Sequence, residues 1–505
     1  MVATIPPTQP ERGHCFWRGL AKFLLALPFL ALLLYFEEDW RGAHAWAVTR
    51  AKWEAKGESF DYTKFIPPLV PRDQNLAATP LFELKKETSP SRGSYLGLPY
   101  LEKALRDETS TIELPQTGAW QRGELTDMAK IQKTIFGDYK SAFNGQTPPA
   151  DSLAQFDALF PFTGDLRTAA ATRPFFRLDL DYAIRPPRLR LLGPIVAPIH
   201  LSQVLTLHAI LALDHQQADL ALGDIQTNVI VLSGVKRDPT LVGGLVAMGV
   251  MAISDGAIYF GLAHHDWSDA QLVELEQALQ PINFLADYQF AMRSEVAQDA
   301  ANLSFYKRAT AAELRQKVFE STYAERALLP WPGGWWDNNM KQLADLHLEE
   351  VTTVDSQKRM VFPKAAARIS DRVAQDSKRG TAYAPWNIWY TEAASGSLEA
   401  MAKFAQAQVW VDEMRIACAL ERHRLAHGAY PSSLDALVPA YLDTLPHDIM
   451  NGEPYHYLLR PDGTFLLYSV GWNQTDEGGK INGLSYDPKA PDYTQGDWVW
   501  PTPKL

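Results

Sequence analysis

His264, His265 and Asp266 stand side by side, and His423 and His427 stand four residues apart. Imidazoles grouped this way bind metals or relay protons. Neighbouring histidines on a helix point in different directions, so the first group reads as a helix C-terminus, where imidazole complements the dipole. His423 and His427 share a helical face, but Glu421, Arg422 and Arg424 around them supply no third ligand and predict a solvated face. Asp345, His347, Glu349 and Glu350 suggest acid–base chemistry. Their spacing spreads them over several faces of a short helix, Met340–Val351, so a charged amphipathic surface is expected. Trp331, Trp335, Trp336, Trp386, Trp389 and Tyr390 suit either a platform for sugars or peptides or a seam between domains, the commoner use of such aromatics. The chain has no nucleophile elbow, phosphate-binding glycine loop, dinucleotide fingerprint or zinc-protease helix. No catalytic or cofactor-binding residue is assigned.

The elements that hold these residues begin with a membrane segment. Phe23 to Phe36 carries no charge; Arg12, Arg18 and Lys22 precede it, and Glu37, Glu38 and Asp39 follow. That asymmetry predicts one span with its N-terminus in the cytoplasm. Extended back to Phe16 the segment is long enough to cross, with Arg18 and Lys22 snorkelling at the cytoplasmic end and Trp17 and Trp40 at its two borders. A cleaved signal peptide is the alternative, with Ala43-His44-Ala45 as its site. Cys15 and Cys418 would lie on opposite sides of the membrane, so no disulfide between them is expected, and Cys418 reads as a small core residue.

A chain of 505 residues predicts two or three domains. A hydrophobic fraction of 46% provides for sizeable cores, and a net charge of −11 argues against nucleic acid as a partner. Prolines recur from Pro67 to Pro115 too often for long helices, which predicts an arm laid over a domain or a linker. Helical periodicity then takes over. Val196–Leu232 and Leu241–Leu262 are apolar and separated by Lys236-Arg237-Asp238-Pro239; Ser268 to Gln271 is a capping box opening a helix with Leu272, Leu275 and Leu279 on one face. Leu241–Ile253 is too short for a span and reads as a core helix. Leu398–His427 is one long helix ended by Gly428, and Ser432–Tyr441 a short one. Tyr455–Leu459 and Phe465–Val470 are strands joined through Pro461-Asp462-Gly463, with Asp497–Trp500 as a third.

The order of long helix, HGAYPSSLDALVPAYLDTLPHD, PYHYLL, GTFLLYSVGWN and terminal GDWVW resembles the C-terminal domain of the major pseudopilin of type II secretion. Tyr430-Pro431, Leu434, Leu437, Tyr441-Leu442, Leu445-Pro446, Asp448, Tyr468-Ser469 and Asp497 carry the likeness. The N-terminal segment departs from the pseudopilin pattern: Gly19 is followed by Leu20-Ala21-Lys22-Phe23-Leu24, with Leu where the family has Glu, and the pseudopilin-like helix is internal. The chain is therefore no pilus subunit but resembles an anchored protein bearing such a head. Its stalk and arm are similar to uncharacterised membrane-anchored proteins of planctomycete and verrucomicrobial bacteria. The pseudopilin resemblance implies a calcium loop after the second strand, carried here by Ser469, Asn473, Asp476 and Asp497, with Asn473 in place of an acid. Calcium is the one cofactor considered, since it takes several hard oxygens from a flexible loop.

The expected fold is α+β overall and mostly α. Its parts are a cytoplasmic N-terminus (1–15), a transmembrane helix (16–36), a helical stalk (37–57), a Pro-rich arm or linker (58–150), a helical domain (151–330), an aromatic-rich linker (331–397) and a pseudopilin-like domain (398–505), in which a long helix packs on a small antiparallel sheet. The expected protein is a periplasmic structural or protein-binding one. It is anchored in the inner membrane through residues 16–36 and partnered by other envelope proteins, with no nucleic acid. An exported hydrolase with its site in the helical domain, and a sensor of a cell-wall ligand, are the alternatives.

Overall fold

One helix, α1 (Arg12–Glu54), carries the chain out of the apolar segment without a break. Its 43 residues rise about 64 Å. The expected anchor and stalk are thus a single rod, ended by a turn at Gly57, whose φ is +91°. The computed structural model describes residues 12–82, 117–129, 131, 149, 151–184, 186–187, 193–310, 312–314, 331–378, 387, 389–390, 397–480 and 494–503. Much of the expected Pro-rich arm, from residue 83 to 116 and from 132 to 148, lies outside them, as does Trp386.

The described part of the arm lies over the helices. Asn75 fixes it there: its amide donates to the Arg177 carbonyl at 2.8 Å and accepts from the Arg177 N–H at 2.9 Å. Short helices α2 (Ser152–Leu159) and α3 (Phe162–Ala170) follow. The body is then built from α4 (Pro198–Asp214), α5 (Ala218–Val235), α6 (Leu241–His264), α7 (Asp269–Leu279) and α8 (Phe284–Arg308). The apolar pattern expected from Val196 to Leu232 is divided between α4 and α5. Helix α6 is apolar enough and long enough for a bilayer, yet 67% of its most apolar window is buried within the protein. It sits at the centre of α4, α5, α8 and the later helix α11 (Ser397–His427). The capping box forms as the spacing predicts: Ser268 Oγ accepts from Gln271 N, and the Gln271 side chain accepts from Ser268 N. Leu272, Leu275 and Leu279 are fully buried beneath it.

Residues 331–397 hold more structure than a linker. Helix α9 (Gly333–Val351) opens about two turns before Met340, and is followed by hairpin β1 (Val354–Asp355)–β2 (Met360–Val361) and helix α10 (Pro363–Lys378). α9 is wedged between α1 and α8. Two of its faces are covered, so His347 and Glu350 are buried. The expectation of a charged outer surface there is corrected: a helix packed on two sides has little surface to charge.

In α11 the apolar residues run all round. Phe404, Val409, Val411, Met414, Ile416 and Leu420 are fully buried against α6, α7 and α8 as well as the sheet. Among the described residues one core therefore runs from Leu76 to Trp500. The sheet is β3 (His456–Leu459), β4 (Phe465–Ser469) and β5 (Trp498–Val499), antiparallel in that order, with His456 opposite Tyr468 and Ser469 opposite Trp498. The helix expected over Ser432–Tyr441 is one 3₁₀ turn, Leu434–Leu437. Pro439 has no N–H and turns Val438 away from helical angles. The protein is mostly helical with small antiparallel sheets.

Candidate functional site

The end of β4 is tied down by one buried acid. Asp448 accepts from Ser469 Oγ, Val470 N and Met450 N, each at 2.9 Å. Burial nonetheless raises its pKa above the usual carboxylate value. Ser469 Oγ is thereby committed in the core, donating to Asp448 and accepting from Gly471 N at 3.1 Å. In that loop Asn473 Oδ1 accepts from Thr475 N, and its amide donates to Glu477 Oε1 at 2.8 Å. Asp476 is exposed and accepts from Tyr468 Oη and Gly478 N. Asp497, almost fully buried, accepts from Glu477 N and Gly479 N. Burial, reinforced by the Glu477 carboxyl, pushes Asp497 up to about 6.

Of the four loop residues, Asn473 and Asp497 converge, and they do so on Glu477; Ser469 and Asp476 lie elsewhere. Glu477 Oε2 is buried without a hydrogen-bond partner. Sequence reasoning passed over Glu477; its place directly before two glycines with positive φ, Gly478 and Gly479, was the available signal. Oxygens of Asn473, Glu477 and Asp497 are of the kind calcium takes. Among the described residues no group of three or more His, Cys, Asp or Glu side chains is gathered around a metal-sized site.

Behind the sheet lies a cleft of about 440 Å³, lined by Tyr259 and Leu262 of α6, Ala417 of α11, and Phe465, Trp500 and Pro501. Its polar end is Glu421. The carboxylate, nearly buried, receives Arg424 Nε and Nη2 at 2.9 and 2.6 Å, Tyr430 Oη at 3.0 Å and His265 Nδ1 at 2.9 Å. Burial opposes its ionised form, but the Arg424 and His265 hydrogen bonds outweigh it and hold the group below its ordinary value. His265 caps α6 in the left-handed region and His264 bonds the Phe260 carbonyl, so the adjacent histidines part as their spacing predicts. The His423 and His427 rings lie tilted with centroids 4.3 Å apart, and each has a hydrogen bond, to the Ala429 carbonyl and the Tyr441 hydroxyl.

Two further groups resemble catalytic sets. Ser152 Oγ lies 2.9 Å from His215 Nε2, but Asp151 meets the same nitrogen at 3.0 Å. A base that activates a serine needs its acid on the other nitrogen. Asp151 is instead the N-cap of α2. The second is buried: His208 sits between Asp157 and Asp224, and Arg167 Nη1 bonds Asp224 at 2.8 Å. Burial pushes the imidazole down, but the two carboxylates prevail and raise it to about 9. None of the clefts described here is lined by His208. The cluster staples α2, α3, α4 and α5 together.

That staple has a pH signature. The folded value is raised above the ordinary 6.5, so the stabilisation is complete below about 6.5 and is lost as pH rises through about 9. The difference is worth about 3 kcal/mol. Wild type will show a urea midpoint falling faster between pH 6.5 and 9 than that of His208→Gln; parallel curves would contradict the assignment.

The aromatic clusters are mostly interior. Trp336, Trp389 and Tyr390 are buried with Tyr306 in a second core between α8, α9 and α10, where Tyr306 stacks on Trp389 at 5.8 Å. Trp331 and Trp335 are half-buried at the start of α9. No protein family model, curated protein or solved structure matches the chain.

Proposed function

We propose that this is a single-pass protein of the inner membrane, N-terminus inside, whose body works in the periplasm by binding other envelope proteins within a secretion-like assembly. One observation carries the anchor: Leu25, Phe29, Leu33 and Phe36 of α1 are 68%, 75%, 66% and 62% exposed. Four large apolar side chains along one helical face need a cover, and hydrocarbon is the cover their length suits. The body reads as a scaffold because its buried group of Asp157, Arg167, His208 and Asp224 is engaged in holding helices together. The order of α11, 3₁₀ turn, hairpin and terminal strand, with Asp448 bonded to Ser469, supports a pseudopilin-type head. The cleft at Glu421 favours a second reading, a sensor of a small ligand.

Orientation is tested with Asp435→Cys, an exposed position in the 3₁₀ turn. A membrane-impermeant maleimide added to intact spheroplasts should label it and leave Cys15 unlabelled until lysis. The reverse pattern would refute the topology. Calcium is proposed at Asn473, Glu477 and Asp497. At ten times its dissociation constant it would add about 1.4 kcal/mol of stability to wild type, and nothing to Asp497→Asn. A shift retained in that variant, or absent from wild type, would count against the site.

A further inference from the structure

The contact between α1 and α9 begins where the apolar run ends. Tyr35 Oη donates to the Trp331 carbonyl at 3.1 Å, Trp335 Nε1 to Glu38 at 3.2 Å, and Gly334 N to Asp39 at 3.0 Å. Gly42 and Gly334 meet backbone to backbone: a Cβ on Gly42 would stand 2.1 Å from the Gly334 carbonyl oxygen. Along α1, Phe36 to Gly42 spans about 9 Å. The headgroup layer is about 5–8 Å thick on each side of the hydrocarbon. The start of α9 therefore lies level with the headgroups, and no stretch of bare helix separates body from bilayer.

We infer that the edge formed by Tyr35, Trp40, Trp331 and Trp335 is a membrane-contact surface that sits in the headgroup layer of zwitterionic phospholipids. This rests on the anchor proposed above. Tyrosine and tryptophan prefer that layer because each has an apolar ring and a polar atom. Here they cluster at one level from two elements far apart in sequence. Trp40 is 69% exposed and continues the strip of Leu25, Phe29, Leu33 and Phe36 by one turn. Trp331 and Trp335 pack together at 4.8 Å, both half-buried. Arg41 pairs with Glu37 and Glu38, but with Asp39 the acids at this level outnumber it, and a net negative level disfavours an anionic surface. The body is thereby clamped on the membrane at one fixed tilt.

Depth-dependent quenching tests it on the full chain in phosphatidylcholine vesicles. Cys15→Ser removes the N-terminal thiol, and Cys418 is fully buried. A bimane is placed by Phe29→Cys, Trp331→Cys or Asp435→Cys, with Trp335→Cys as a second probe of the edge. The expected result is loss of Phe29→Cys emission mainly with mid-chain nitroxide lipid. Trp331→Cys and Trp335→Cys should lose emission mainly with headgroup nitroxide lipid, and Asp435→Cys with neither. Quenching at Phe29→Cys with none at either edge position would overturn the contact and leave the anchor standing. No quenching at any position would overturn both.

Discussion

Gly334→Val will destabilise the protein by about 3 kcal/mol or more and free the upper part of α1 from the body. A Cβ at Gly334 would lie 1.9 Å from the Glu38 carbonyl oxygen. Backbone cannot swing aside as a side chain does, so α1 and α9 must part. With them go the bonds of Asp345 to Lys52 Nζ and Trp53 Nε1, both at 2.9 Å. The urea midpoint should drop, and trypsin should cut at Arg50 and Lys52 under conditions that spare wild type. Gly249→Ala is the opposite case. Its Cβ meets only Ile199, at an ordinary 3.6 Å, and alanine is the better helix former by about 1 kcal/mol. That variant should be neutral or more stable. Equal losses from both substitutions would show that the seam is not a backbone contact.

Asp224→Ala should cost about 3–5 kcal/mol, because it removes one member of a buried charge group and leaves the others. Asp224 is fully buried, and both Arg167 and His208 depend on it. Asp224→Asn keeps the shape and one acceptor and should lose less. The variant should also flatten the loss of stability between pH 6.5 and 9, since His208 then has only Asp157 to hold its proton. A midpoint unchanged from wild type in Asp224→Ala would dismiss the staple. The two losses should add when Gly334→Val and Asp224→Ala are combined, because the sites share no partner.

Local chemistry was legible where it acts within a few residues. The Ser268–Gln271 box, the Asp462-Gly463 turn and the two long strands are decided by neighbours in the chain, and they stand where the pattern puts them. The length of α11 was legible too, ended at Gly428 with φ +79°. Its place was not. Glu413 and Asp412 in its middle are both fully buried, Asp412 held by Arg359. Glu413 has neither oxygen bonded, and burial raises it far above the ordinary carboxylate. A charge next to apolar residues reads as surface until a partner from 53 residues away arrives.

The candidate sites show the same division. Arg424 three residues after Glu421 is a visible helical pair, but His265 reaches Glu421 across 156 residues. The Asp157–His208–Asp224 group is assembled by three helices and has no spacing to betray it. Trp331 and Trp335 looked like part of one aromatic cluster with Trp336. A helix turns successive side chains by about 100°, so Trp336 enters the core while the other two stay at the edge beside α1. Only contact with α1 distinguishes them.

The anchor and the membrane-contact edge both depend on α1 being held in lipid. The direct measurement is alkaline carbonate extraction of membranes from cells making the whole 56.5 kDa chain, followed by blotting with an antibody to the body. Carbonate strips proteins held by charge and leaves those held by hydrocarbon. The full-length band should remain in the washed pellet and move to the supernatant only with detergent. A full-length band in the supernatant before detergent would contradict the anchor and the membrane-contact edge that depends on it.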